Sequence, residues 1–388
     1  MIMFKAFKYR LYPDKESSIL LNKHFGCARW VYNFGLQSKI EAYEKDGGSI
    51  RCIDIANRLP RLKQDFPWLK EVNSQSLQMA LRHLDSAYQR FFREKKGFPR
   101  FKSKKDNRQK FSVPQHSRVD FAGGLLFIPR FKKGIKIRLH REFTGTIKTI
   151  TITRTPSDKY YASILTESPE SVPVKKLMSE NKAIGIDLGI SHFAVLSNGL
   201  KIDNPRYLIQ SLVRLKRLQR SLSRKQKGSS NRDKARVLLA AQHEKVFNQR
   251  NDFLQKTTSV LLREYDTLCL ETLSASNMVK NHYLARSIND VSWSGFNRIL
   301  EYKALWQGKN IMRLDRFEPS SKICSCGSIN KKLTLKDRVW TCHKCKSEHD
   351  RDVLAARNIL KYCFQKQYKI GQGLPESTLS EKATPSLI

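Results

Sequence analysis

Three acidic residues stand where short apolar runs begin or end, and that placement constrains the fold more than anything else in the chain. Asp187 comes at the end of AIGID, Glu271 at the end of TLCLE, and Asp352 at the start of DVLAARNIL. The first two runs are short, apolar and bounded by Gly or Thr, which predicts buried strands. The third spaces Ala355, Ala356 and Ile359 as the close-packing face of a helix. Two strand ends and one helix start, laid on a single sheet, bring their carboxylates to one edge.

The rest of the chain is cationic. Lys and Arg number 73 against 35 Asp and Glu, a net charge of +38 over 388 residues. Such a surplus predicts a polyanionic partner. No apolar run is long enough for a membrane span, and the N-terminus has no signal-peptide core, so a cytoplasmic, nucleoid-associated protein is expected. Carboxylates gathered inside a cationic protein suggest metal-dependent cleavage of nucleic acid. Hard oxygen ligands suit Mg2+, and two such ions between converging carboxylates are the arrangement of ribonuclease-H-like nucleases. Each residue also has a plainer reading: Asp350 is placed to cap the helix that Asp352 begins. GIDLG also resembles an ATPase phosphate loop, but no second Gly-rich loop accompanies it.

Ahead of this segment, FKAFKYRLY (4–12) alternates as a strand, and Asp14 is a candidate N-cap for the helix that follows. A helical block runs to about residue 95. Its helix from Ser74 buries Leu77, Leu81, Leu84, Tyr88 and Phe91, and turns Gln75, Gln78, Arg82 and Gln89 outward. Residues 97–111 form a basic loop with interleaved aromatics, carrying Arg100, Lys102, Lys104 and Lys105, suited to phosphates and stacked bases. From 111 to 166 the period falls to two, predicting a small β-barrel that the first strand joins, with Pro156-Ser157-Asp158 as a turn. Residues 168–181 read as a linker. Between 206 and 263 two basic helices, broken near Gly228, form a hairpin bearing Arg220, Arg224, Lys225, Lys227 and Arg232 as candidate phosphate contacts.

Eight cysteines without a secretory signal favour metal over disulfides. Cys324-Ser325-Cys326 and Cys342-His343-Lys344-Cys345 bracket the hairpin LTLKDRVW, the pattern of a zinc ribbon with four thiolates around one structural Zn2+. The CxC knuckle is one residue short of the usual spacing, which leaves His343 or His349 as substitute ligands. Cys27, Cys52, Cys269 and Cys363 read as buried small residues.

Taken together, FKYRLYPDK, FGCARWVYN, SLQMALRHLDSAYQRFF, GFPRFKSK, GIDLGI, LSRKQKGSSNRDKAR, LETL, DVSWSGF, EYKALWQGK, PSSKICSCG and HDRDVLAARNIL resemble the TnpB family. These are transposon-encoded relatives of type V CRISPR effectors. The resemblance implies an RNA-guided DNA endonuclease, with an omega-RNA-like guide, double-stranded target DNA and a short adjacent DNA motif. It implies an α+β multidomain fold. A WED-like β-barrel (1–14 and 111–170) carries an inserted helical recognition domain (15–110). A RuvC-like nuclease domain (182–318 and 351–365) holds a zinc ribbon (319–350), and a flexible tail (366–388) follows. It assigns Asp187, Glu271 and Asp352 as catalytic ligands of two Mg2+ ions, and Cys324, Cys326, Cys342 and Cys345 as ligands of Zn2+. A monomer with one guide is expected. Two departures from the family pattern are the CxC knuckle and Leu354, where the family has Asn. The competing expectations are a nuclease-inactive RNA-guided repressor, a compact type V CRISPR effector, a strand-transfer transposase and a generic zinc-ribbon binder. The repressor would lack a carboxylate, and the transposase would need a His-hydrophobic-His and Tyr signature that is missing.

Overall fold

The computed structural model describes residues 2–106, 109–315, 320–334 and 337–371, and the side chains among these only as far as 366. Two compact units share the chain. The first comprises 1–171 and 218–241, the second 172–217 and 242–388.

In the first unit β1 (Ile2–Tyr12) leads into α1 (Lys15–Asp46), α2 (Cys52–Ala56), α3 (Leu59–Asp65) and α4 (Ser74–Glu94). Asp14 does cap α1, accepting from the Ser17 amide at 2.7 Å. The long helix α1 packs on α4 through Gly35, where a Cβ would come within 2.6 Å of Leu81. Then come β2 (Gln109–Val113), β3 (Arg118–Asp120), β4 (Leu125–Phe127), β5 (Ile135–Arg138), β6 (Thr146–Arg154) and β7 (Tyr160–Ser171). With β1 they make one seven-stranded sheet in the order β2-β6-β7-β1-β5-β4-β3. Its inner face and the helices share one core around Tyr9, Leu11, Phe25, Leu77, Leu84 and Ile152.

Three expectations are corrected here. Among the described residues β2 and β3 remain edges, so backbone hydrogen bonds leave the sheet open instead of closing it into a barrel. Residues 168–171 belong to β7, because Ser168 and Ser171 pair with Met3 and Ile2, so the linker is shorter than its composition suggested. Tyr88 and Phe91 are only partly buried: Tyr88 packs at the margin of the core with Lys39 of α1 over its ring, and Phe91 lies against Phe92 and Phe98.

The second unit opens with β8 (Ala183–Leu188), β9 (His192–Leu196) and β10 (Lys201–Asp203), an antiparallel set. Helices α5 (Tyr207–Ser223) and α6 (Ser230–Glu264) follow in the chain, joined by the turn at Gly228, and their residues 218–241 belong to the first unit. β11 (Thr267–Glu271) then runs parallel to β8 on one side. After α7 (Ala275–Met278), α8 (His282–Val291) and α9 (Trp293–Trp306), β12 (Asn310–Leu314) joins the other side of β11, again parallel. The sheet order is β10-β9-β8-β11-β12. The hairpin β13 (Val339–Thr341) and β14 (Glu348–Asp350) precedes α10 (Arg351–Gly371), a helix that continues past 366, where a tail was expected. Residues 372–388 of that expected tail lie outside the described residues, as do 107–108 of the basic loop, 316–319 ahead of the first knuckle and 335–336 of the expected hairpin LTLKDRVW. Of that stretch Val339 and Trp340 enter β13, whose partner β14 follows the second knuckle, so the hairpin flanks that knuckle and does not lie between the two. No described helix is long and apolar enough to cross a membrane.

Candidate metal and nuclease site

Register and helix geometry together gather the carboxylates. β11 pairs with β8 as Cys269 with Gly185 and Leu270 with Ile186, so Glu271 and Asp187 come next on their strands at the same sheet edge. Side chains alternate along a strand, so Asp187 projects from the same face as Gly185, and Glu271 from the same face as Cys269. That face is covered by α10, which packs so close to β8 that a Cβ on Gly185 would lie 2.0 Å from the Ala356 carbonyl oxygen. From this contact, two residues up the strand rise about 6.7 Å, and four residues back along the helix rise about 6 Å. Asp187 and Asp352 are thereby brought level. Cys269, Cys363 and Ile359 fill the space beneath, which leaves the carboxylate edge above an apolar floor.

The electrostatics follow from that crowding. Burial, then the charge of Glu271 and then that of Asp352, push the Asp187 carboxyl up from 3.8 to about 7. Three acids that repel one another in a recess suit a polyvalent cation. Further residues hold the other two carboxylates. Ser320 Oγ donates to Glu271 Oε1. Arg338 Nη1 lies 3.2 and 3.4 Å from the two oxygens of Asp352, while its Nη2 donates to Ser191 Oγ at 3.1 Å. Asp350 accepts from the amides of Asp352 and Val353 at 3.0 and 3.1 Å, so the plain reading of Asp350 as a helix cap holds. Lys201 pairs with its other oxygen at 2.6 Å.

The cysteines converge as well. The sulfurs of Cys324, Cys326, Cys342 and Cys345 all lie within 4.8 Å of one another, a cluster that could hold a metal ion. Cys324 to Cys345 is 3.4 Å and Cys326 to Cys342 is 3.7 Å. A tetrahedron with metal–sulfur bonds of about 2.3 Å has edges of roughly 3.8 Å, so the CxC knuckle brings its thiols into range despite the short spacing. Of the two substitute ligands, His349 approaches, with Nε2 3.0 Å from Cys324 Sγ. His343 bonds Ser328 Oγ instead. Hydrogen bonding to Ser347 draws the Cys345 thiol down to about 6, towards the thiolate a metal needs. Leu354 is 2% exposed and packs with Cys324, Leu333, Trp340 and Cys342, so this departure from the family pattern serves the core beneath the cysteines.

Asn358 ties the two clusters together. It is buried on α10 and donates to the carbonyls of Ser320 and Ile323 at 2.7 and 2.8 Å. Local pattern gave no sign of Arg338 or Ser320. Asn358 left one trace, a polar residue on the apolar side of ARNIL.

The candidate nucleic-acid residues divide. Gln78, Arg82, Arg100, Lys104, Lys105, Arg220, Arg224 and Lys227 are exposed, and Lys225 is half-buried. Gln75 donates to Gln115 at 3.0 Å. Lys102 is turned inward with its ammonium 3.6 Å from the centre of the Tyr32 ring, and burial draws it down to about 8. Arg232 donates to the carbonyls of Leu222 and Lys225, both at 2.9 Å, closing the end of α5. These two act inside the fold because each reaches a partner that satisfies its charge or its donors. Of the four isolated cysteines, Cys27, Cys269 and Cys363 are buried and Cys52 is half-buried.

Comparison with known proteins fits this geometry. Over 92% of this chain and 88% of its own length, a protein of Streptomyces pristinaespiralis provisionally named an RNA-guided DNA endonuclease is 38% identical. The chain belongs to the TnpB family. A similarly named Escherichia coli K12 protein is 32% identical over 93% of this chain and 92% of that one. A TnpB-like protein of Acanthamoeba polyphaga mimivirus is 24% identical over 62% and 49%. Residues 163–282 match a family described as a probable transposase, and 293–359 a Cas12f1-like TNB domain. Residues 1–48 match a helix-turn-helix domain, although in this structure they form a strand and one unbroken helix. The fold resembles the protein in a Cas12f1–sgRNA–target DNA complex, with a TM-score of 0.56 and 15% identity over 92% of this chain and 99% of that one.

Proposed function

We propose that this TnpB-family chain is an RNA-guided DNA endonuclease that hydrolyses phosphodiesters at the edge where β8, β11 and α10 meet. The carrying observation is the convergence of Asp187 and Glu271 on adjacent parallel strands, with Asp352 brought level by the Gly185–Ala356 contact. The burial and neighbouring negative charge that raise Asp187, with the all-oxygen donor set, fit two Mg2+ ions held by Asp187, Glu271 and Asp352. Such ions supply Lewis-acid stabilisation and an acidified water for phosphoryl hydrolysis. The chain's own part is to orient the donors: Ser320 fixes the Glu271 carboxylate, Arg338 that of Asp352, and Asp350 the first turn of α10. The four cysteines fit one structural Zn2+, because a full set of thiolates leaves no open position for chemistry.

A surface of +38 suits a guide–target duplex, in which base pairing reads sequence and the protein holds the backbone. The guide is taken to be an omega-RNA-like transcript and the target double-stranded DNA. One chain per guide is the proposed assembly.

The test is to express the chain with its flanking DNA, sequence the RNA that copurifies, and assay cleavage of matching DNA with Mg2+. A discrete structured RNA ending in variable sequence is expected, with cutting that Asp187→Ala abolishes while RNA retention persists. Heterogeneous cellular RNA, or undiminished cutting by the variant, would overturn the reading.

A further inference from the structure

A recess inside the first unit gathers cations and polar groups that the nuclease site does not use. Its walls are α1, α4, β2 and the basic loop between α4 and β2, and the space they leave is about 110 Å3. Helix α4 brings Ser76, Ala80 and His83 to one wall, at spacings of four and three that stack them on a single face. The small side chain of Ala80 leaves room between the other two. The loop adds Lys102 and the strand adds Lys110.

Several of these groups lack a counterpart. Ser76 is 1% exposed, yet its hydroxyl makes no hydrogen bond among the described residues. A buried hydroxyl left unmet is costly. The side chains of His83 and Lys110 make no hydrogen bond or ion pair among the described residues either. The Tyr32 ring faces the Lys102 ammonium at 3.6 Å, but no oxygen takes its N–H donors. Burial, then the charges of Lys110, Lys102 and Arg90, draw His83 down to about 4, so near neutral pH its uncharged ring keeps one N–H to donate. Burial and then Lys110 draw Lys102 down to about 8. Like charges thus crowd one another here. The acid in the wall, Asp106, already accepts from the Ser103 amide at 2.7 Å, and Arg29 is taken up by Gln109 Oε1 at 3.0 Å.

We propose that this recess is a binding site for one small tetrahedral oxyanion of the phosphate class. Its donors are Ser76 Oγ and His83 on α4, Lys102 on the loop and Lys110 on β2. Donors arriving from three elements suit a tetrahedron of oxygens better than a flat carboxylate, and two ammonium groups match a double negative charge. The space is well below the roughly 300 Å3 at which pockets for larger organic ligands begin, so it suits an ion and not a whole nucleotide. With the ion bound, the buried hydroxyl gains its partner and the repulsion between the lysines is offset. The ion also braces the loop against α4, adding to the grip of the Asn33 side chain on the Lys102 backbone at 2.8 and 2.9 Å. The site is separate from the carboxylate edge and does not rest on the nuclease reading.

The test uses the full chain freed of nucleic acid, with inorganic phosphate titrated at fixed ionic strength by calorimetry and thermal melting. Phosphate should bind at one site and raise the melting temperature. Ser76→Ala and Lys102→Met should each weaken it about tenfold or more, the loss expected for a hydrogen bond to a charged group. Lys104→Met, which changes an exposed lysine of the same loop, should bind as the parent does. Without phosphate, Ser76→Ala should melt at the parent's temperature or above, since it removes an unmet hydroxyl. Equal binding by Ser76→Ala and the parent would overturn the site, as would many weak sites that Lys104→Met also reduces. No phosphate binding at all would leave water as the occupant and refute the proposal. A last arm offers a 5′-phosphorylated oligothymidine. Ser76-dependent binding of that strand, with none of the free ion, would give the recess to a strand end and overturn the free-ion site.

Discussion

Asn in place of Asp187 should stabilise the metal-free protein while destroying its nuclease. Burial and the neighbouring charges of Glu271 and Asp352 raise the carboxyl from 3.8 to about 7. Between those values the folded chain binds a proton that the unfolded chain has already released, so stability falls as pH rises through that window. About three pKa units at 1.36 kcal/mol each amount to about 4 kcal/mol lost by pH 8. Asn has nearly the same shape and carries no charge, so it avoids that loss. For a folding unit of 150–250 residues, about 4 kcal/mol corresponds to roughly 8–16 °C in melting temperature. The assay is thermal melting in EDTA at pH 4 and pH 8. Parent and Asp187→Asn should melt together at pH 4, and the variant should melt well above the parent at pH 8. Added Mg2+ should raise the parent and leave the variant unmoved, since ligand binding stabilises only a chain that can bind. A variant that melts at or below the parent at pH 8 would refute the idea that burial and the neighbouring carboxylates oppose the charge of Asp187.

The remaining expectations concern what holds the site in place. Gly185→Ala puts a methyl 2.0 Å from the Ala356 carbonyl, so it should cost about 3 kcal/mol and abolish cutting by pushing α10 off β8, read by melting and by cleavage rate. Asp350→Ala removes the cap of α10 and should cost about 1 kcal/mol, with a slower cleavage rate because the turn bearing Asp352 loosens. Cys345→Ser should lower bound zinc, measured by elemental analysis, and destabilise the second unit before it affects chemistry. Full zinc content and normal melting would rule out the four-thiolate site.

Much of this was legible in the sequence because the decisive features are local. The two strand ends, the helix start at Asp352, the hairpin break at Gly228 and the cysteine knuckles each follow from periodicity or spacing within about ten residues. What escaped is non-local. Sheet closure depends on whether β2 meets β3, residues separated by a turn that periodicity does not register. Charge count treats Lys102 and Arg232 like their exposed neighbours. Whether a cation faces solvent or a Tyr32 ring depends on which helix crosses the loop.

The same limit explains why the three carboxylates can be proposed from the sequence and the groups that contact them cannot. The proposed Mg2+ ligands are all Asp or Glu and each sits at an element's end, so residue type and position coincide in the sequence. A group that steadies such a ligand needs only a donor within reach. Serine, asparagine and arginine all qualify, and all are common elsewhere. Ser320 reaches Glu271 across 49 positions and Arg338 reaches Ser191 across 147. Both come from the segment that carries the cysteines. Asn358 holds that segment against α10, the helix bearing Asp352. Ser320 and Arg338, which contact two of the three carboxylates, thus lie in the same segment as the cysteines. On the proposed zinc reading, removing metal from the cysteines should slow cleavage even with Asp187, Glu271 and Asp352 intact, measured as cleavage rate against zinc content.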